Sequence, residues 1–327
     1  MLKERINSIR VNTYKHKKIM SKTDFIYEKI NDAVIEGLKK DGLEWFKPFG
    51  EGEQMFPINY VSKRRYNGFN IFMLNAVMRE KGYEYNQWLS FKAVTENNGK
   101  VKKGEKSTEV YLWNMSWFDE KTKKFIKDSR ELNIDEKFEG KLRYKKIFSI
   151  KYYRVFNVEQ CEGIVPIGAD EPKVEKTKNN PIEVAESVVK RYLENEPKFK
   201  IVHAESGRAY YNMMRDFVNV PKIEGFTDSD SYYKVLFHEL AHSTGHEERL
   251  NRKSLTEVMN WGDETYAKEE LVAEISSMYM VGLLGLEPHI TNSQAYIQGW
   301  CKHLKDKPKE CVFAMQQATK VVDYLQR

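Results

Sequence analysis

Residues 237–252 read FHELAHSTGHEERLNR and hold three of the chain's seven histidines, at positions 238, 242 and 246. On a helix, residues i and i+4 lie one turn apart on one face. His238 and His242 can therefore present two imidazoles to a single ion, and Glu239 is placed to lean towards a water held there. This is the H-E-x-x-H arrangement of zinc hydrolases. The flanks suit a helix: Ser229 or Ser231 can cap it, and Val235, Leu236, Leu240 and Ala241 supply a buried side.

Catalytic zinc takes three protein ligands and leaves a fourth place for water. His246 lies one turn further on, but Gly245 and the polar run after it point to a helix end. Glu248 stands where a longer H-E-x-x-H-x-x-G-x-x-H pattern carries its last histidine. Downstream, YAKEELVAEISSMYM (266–280) sets Glu270 and Glu274 one turn apart on a face otherwise packed by Leu271, Ile275 and Met278. Charges on a half-buried helix are costly unless paired or metal-bound. The preferred assignment is Glu270 as third ligand of one Zn2+ per chain. Glu274, four residues on, would then orient a ligating histidine.

With 327 residues and 41% hydrophobic content, the chain can form two ordinary domains and wholesale disorder is excluded. No apolar run is long enough to span a membrane. The basic start, MLKERINSIRVNTYKHKKIM, lacks the apolar core of a signal peptide. Cys161, Cys301 and Cys311 share no ligand spacing and fit a reducing, cytoplasmic setting. Charge is unevenly spread: residues 1–160 carry a net +11 and the remainder −5, and 26 of the 42 aromatics fall in the first part. Cations interleaved with exposed rings are what a single-stranded nucleic-acid groove needs, although a β-rich core also uses aromatics.

The expected organisation is α+β. Residues 1–23 read as a disordered extension, 24–163 as a first α+β domain, 164–181 as a linker and 182–327 as a mostly helical domain with a small sheet. Helices are expected at 24–42, in FNIFMLNAVMREKG, in IEVAESVVKRYLENEP, at 229–250 and 264–284, and as a final pair broken near Pro308. Residues 101–160 alternate like strands around a charged stretch, 117–140, that reads as a solvated loop or projecting hairpin. KFKIVHAES and GRAYYNMMRDFVNVP read as extended.

HELAHSTGHEERLNR, YAKEELVAEISSMYM and AYIQGWCKHLKDKPKECVFAMQQATKVVDYL together resemble the ArdC-like antirestriction proteins of plasmids and phages. So do WFKPF (45–49), NYVSKRRYNGFN (59–70), WLSFKAV (88–94), VKKGEKS (101–107) and VFNVEQCEG (155–163), in the half that resembles the family's single-stranded-DNA-binding domain. The sequence departs from that pattern at Phe49, where tryptophan is more usual, and in a charged insert at 114–142. The resemblance implies single-stranded DNA binding by the first domain, a zincin-like metallopeptidase as the second, and a mobile-element setting in which restriction is opposed or entering DNA protected.

Carried onto this sequence, His238, His242 and Glu270 would hold zinc and Glu239 would move the proton. AYYNMMRDF offers an edge strand for a peptide, so a protein bound near DNA is a candidate substrate. In the first domain the expected DNA contacts are Lys63, Arg64, Arg65 and Tyr66, with Asn67, Gly68 and Asn70 shaping the loop. Lys102, Lys103 and Lys106 around Gly104 add a basic turn. Trp45 and Tyr66 are the expected stacking rings, whereas Trp88 and Phe91 are expected in the core. A nuclease is disfavoured because such sites gather carboxylates around two ions. Nor is there a nucleotide-binding G-x-x-x-x-G-K-[ST] loop.

Overall fold

A computed structural model describes residues 22–48, 56–126, 130, 132–169, 181–203, 207–256, 264–288 and 294–327. Helix α1 (Lys22–Asp41) runs into a helical turn, Gly42–Phe46, and is followed by β1 (Ile58–Asn59), α2 (Phe69–Lys81), β2 (Gln87–Ser90) and α3 (Phe91–Glu96). Then come β3 (Lys100–Val101), β4 (Thr108–Asp119), β5 (Lys124–Ile126), β6 (Lys137–Phe138), β7 (Lys141–Leu142), β8 (Tyr144–Asn157) and β9 (Cys161–Glu162). The second half holds α4 (Pro181–Asn195), β10 (Lys200–Val202), β11 (Tyr210–Asn212), β12 (Phe217–Asn219), α5 (Ser229–Ser243) and α6 (Lys253–Thr256). It closes with α7 (Glu264–Leu284), α8 (Gln294–Asp306) and α9 (Pro308–Leu325). The class is α+β.

The first half is built on a five-stranded sheet in the order β1-β2-β8-β4-β5, antiparallel except for β1 against β2. Strands β4 and β8 pair without interruption from Thr108↔Val155 to Asp119↔Tyr144, so the charged insert is the far end of one long hairpin. Its tip is fixed by Arg143, which donates to both carboxylate oxygens of Asp119 at 3.1 and 2.9 Å and to Glu136 at 2.6 Å. Among the described residues, one side of β4 carries no strand before Trp117. There Asn70 takes a strand's place, accepting from Tyr111 N–H at 2.8 Å and donating to Tyr111 C=O at 2.7 Å. Gly68 opens α2 at φ +56°, and a Cβ there would sit 3.1 Å from Gln316 on α9. Glycine therefore answers both the backbone conformation and the close approach.

The two halves share one core. Ile26, Ile30, Val34 and Leu38 recur every four residues along α1 and are all buried, and that face lies on α8 and α9. Asn31 donates to Leu304 C=O across the same interface at 2.8 Å. The Gly42–Phe46 turn packs on α7, where a Cβ at Gly282 would fall 2.7 Å from Pro48 Cδ. Residues 1–21 of the expected extension and 170–180 of the expected linker lie outside the described residues, while Lys22 and Thr23 open α1. The linker's first residues belong with the first half: Gln87 exchanges two hydrogen bonds with Ile167, and Tyr60 donates to Val165 C=O. No helix among the described residues is long and apolar enough to cross a membrane.

Candidate metal centre

Helix α5 is capped by Asp228, whose side chain accepts from Ser231 N–H at 2.6 Å, not by either serine. The helix also stops earlier than expected, at Ser243, because cations gather on its free carbonyls. Arg252 donates to Ala241 C=O at 2.6 Å and to Thr244 Oγ1 at 2.7 Å, and Arg249 donates to Ser243 C=O at 2.7 Å. Both guanidiniums sit at the negative end of the helix dipole. A Cβ on Gly245 would lie 2.8 Å from Arg252 Nη2, so the smallest residue leaves room for that cap.

Within α5, His238 and His242 turn their Nε2 atoms together, 3.3 Å apart. From α7, Glu270 reaches the same point, one oxygen 3.5 Å from His238 Nε2 and the other 3.4 Å from His242 Nε2. Among the described residues, this is the group whose ligand atoms all lie within 4.8 Å of one another and could hold a metal ion. Each ring has a carboxylate at its back: His238 Nδ1 lies 3.2 Å from Glu274, and His242 Nδ1 lies 3.4 Å from Glu269. Glu274 is paired with Lys234 at 3.0 Å. Glu269 is clasped by Arg252 and accepts from Ser254 Oγ at 2.7 Å.

Burial opposes a proton on His238, but the hydrogen bonds to Glu270 and Glu274 outweigh it and lift the ring to about 10. His242 is also raised, burial being overcome by Glu269 and Glu270. Burial would raise the carboxylates; instead, Arg252 and His242 hold Glu269 at about 2, and His238 and Lys234 hold Glu274 at about 2. Glu239 shifts the other way. Its burial raises it against the pull of His242 and His238.

The backbone N–H of Tyr211 on β11 favours the charged form of Glu239. That strand lies at the edge of the three-stranded sheet β10-β12-β11. Its position is fixed from below by Arg249, which pairs with Asp216 and donates to Tyr211 Oη at 3.2 Å. Glu248 and His246, the other ligand candidates, lie past the end of α5. Glu248 is exposed, and its N–H donates to His246 Nδ1 at 3.2 Å.

The expected DNA contacts separate by burial. Lys63, Arg64, Arg65, Asn67, Lys102, Lys103 and Lys106 are exposed. Arg65 lies over the Phe56 ring at 4.1 Å, and Lys102 Nζ donates to Glu159 C=O at 2.8 Å. Trp45 does not stack on a ligand: it is 4% exposed and stacked on Phe72 at 6.3 Å, because the short helical turn that carries it is wedged between helices. Asn70 is buried and spent on Tyr111. Tyr66 is half-buried against the cluster of Leu74, Met78, Trp88, Val110 and Val155. Trp88 is in the core as expected, but Phe91 is 63% exposed, since the chain turns from β2 into α3 at that residue. Tyr152 and Tyr153 on β8 are exposed rings that local sequence does not reveal; they pair with Tyr111 and Val110 of β4, beyond the stretch of β8 that β2 covers.

These two histidines and the glutamate facing them from α7 are the features of a zincin-like metallopeptidase domain, joined here to a domain built on the β4–β8 sheet. Comparison with known proteins agrees in both halves. The family described as a zincin-like metallopeptidase matches residues 190–317, and the N-terminal domain of anti-restriction factor ArdC matches residues 24–156. The chain is an ArdC-like protein. Two crystal structures of the antirestriction protein ArdC from plasmid R388 match with TM-scores of 0.65 (metal-free) and 0.66 (Mn(II)-bound), at 29% and 28% identity. Each covers 92% of this chain, which in turn covers 96% and 97% of theirs. A DNA primase TraC of Escherichia coli is 34% identical over 306 residues. That match takes in 91% of this chain but only 20% of the primase, so the chain spans about a fifth of that relative's length.

Proposed function

We propose that this chain is a single-stranded-DNA-binding protein of a mobile element that carries a zinc-dependent peptidase centre and acts against restriction or in protection of entering DNA. The convergence of His238 Nε2, His242 Nε2 and Glu270 on one point carries the reading. Two imidazoles and one carboxylate suit a divalent ion, zinc by preference, and leave a further position for water. The plasmid protein's manganese-bound structure supports a divalent ion in a relative. When bound, zinc supplies Lewis acidity, acidifying water and polarising a carbonyl.

Glu239 then has the proton work. Burial raises its proton affinity towards neutrality, which suits a group that takes a proton from water and returns it to a leaving amine. Among the described residues β11 pairs with a strand on one side only, which supports alignment of an extended peptide beside Glu239, main chain to main chain. For DNA, Lys63, Arg64, Lys103 and Lys106 are the favoured phosphate contacts. Tyr153 shares a sheet face with Lys151, through the pairs Val110↔Tyr153 and Leu112↔Lys151, and supplies a ring for stacking. A second reading, with zinc as scaffolding only, draws on Glu239 being just 9% exposed.

Glu239→Gln decides between them, since it removes the base and no proposed ligand. It is expected to retain zinc and single-stranded DNA binding and to lose peptide-bond cleavage, including self-cleavage, assayed with and without DNA. If wild type cleaves nothing in either condition and the variant still opposes restriction, the peptidase reading is wrong.

A further inference from the structure

Two buried chains of charge run into the metal centre from behind. On one side Lys234 Nζ meets Glu274 Oε1 at 3.0 Å, and Glu274 Oε2 meets His238 Nδ1 at 3.2 Å. On the other, Arg252 Nε meets Glu269 Oε2 at 3.2 Å, and Glu269 Oε1 meets His242 Nδ1 at 3.4 Å. Side-chain exposure is 8% for Glu274, 1% for Glu269 and 1% for Arg252. A carboxylate this buried stays charged only because a cation holds it. An imidazole whose Nδ1–H donates to a carboxylate keeps its lone pair on Nε2 and cannot swing. In both rings it is Nε2 that faces Glu270.

We propose that Arg252 and Lys234 are positioning residues of the metal centre, acting through Glu269 and Glu274 to fix the tautomer and direction of His242 and His238. Neither cation touches the point where the ligand atoms converge. The two chains differ in what else they do. Arg252 also caps α5 through Ala241 C=O and Thr244 Oγ1, sharing the helix end with Arg249, so one guanidinium serves both that cap and the aim of His242. Lys234 is one turn before His238 on α5, and its ammonium is committed to Glu274.

The inference rests on the metal reading above, and its test separates the two. Full-length wild type, Lys234→Met, Glu269→Gln, Arg252→Met and Arg252→Lys would be titrated with zinc against a chelator of known affinity, with folding followed by circular dichroism. Zinc-loaded samples would also be examined by proton NMR for the two Nδ1–H resonances. Zinc affinity is expected to fall about ten- to a hundredfold in each variant. Lys234→Met should move only the His238 resonance and Glu269→Gln only that of His242, shifts that a general loosening of the fold would not sort by ring. Arg252→Lys keeps the charge but loses the fork, so a partial rescue relative to Arg252→Met is expected. If the variants fold and keep wild-type affinity with both resonances unmoved, the positioning role is refuted while the metal site stands. If wild type takes up no zinc, both fall.

Discussion

Replacing Asn70 with alanine tests whether this residue serves DNA or the sheet. The carboxamide pairs with both the N–H and the C=O of Tyr111, at 2.8 and 2.7 Å, in a place where Asn70 itself is 6% exposed. Removing it leaves a donor and an acceptor beside the core without that carboxamide. An abandoned buried group costs about 1–3 kcal/mol, so the pair should cost about 2–4 kcal/mol, allowing for partial access of water on the open side of β4. In a chain of this length each kcal/mol lowers the melting temperature by about 2 °C, giving a drop of about 4–8 °C. Asn70→Asp should not rescue it at neutral pH, since a carboxylate can accept from Tyr111 N–H but sets a buried charge against its C=O. The assay is thermal unfolding by circular dichroism, with single-stranded DNA affinity measured well below the transition. Unchanged melting together with weakened DNA binding would refute the structural reading and return Asn70 to the DNA surface.

Metal uptake should release a proton near pH 7, because His238 is raised to about 10 and its metal-free ring holds a proton there that zinc must displace; His242 is shifted in the same direction. Affinity then strengthens as pH rises and weakens as it falls. Calorimetry in two buffers of different protonation heat would show it, and a heat independent of buffer at pH 7 would contradict it. Glu270→Ala should lose most of the zinc by elemental analysis, whereas Glu248→Ala and His246→Ala should keep it; the reverse pattern overturns the ligand assignment. Replacing Lys63, Arg64 and Arg65 together with alanine should weaken single-stranded DNA binding across sequences. It should also flatten the slope of log affinity against log salt by about 0.7 for each phosphate that is no longer neutralised. An unchanged slope would place the DNA elsewhere.

The spacing of His238, Glu239, His242, Glu270 and Glu274 makes the centre of the site legible, because helical periodicity converts sequence intervals directly into shared faces. The same periodicity shows α1, α2, α4 and α7. What stays hidden depends on packing with no fixed spacing. Glu269 looks like one more surface acid until Arg252 and Ser254 close around it from the start of α6. Trp45 lies in turn-rich sequence, which suggests exposure, yet tertiary packing against Phe46 and Phe72 takes it inside. Phe91 reads as the start of a packed helix, but it sits where strand changes to helix and its ring faces outward. The charged insert disguises the length of β4 and β8, since a ribbon open to solvent needs little alternation to form.

The face of α1 that rests on α8 and α9 has a consequence for separability. Most of that helix's apolar stripe, Ile26, Ile30, Val34 and Leu38, is covered by the second half of the chain. Cutting between the halves would strip it bare, and a closely packed interior does not let its parts pivot. The distance and direction from the sheet of the first half to the histidines of the second are therefore set like the span of a caliper. On the proposed function, a strand held by the first half would be presented to the second at one reach, and selectivity would come from where along that strand a protein sits.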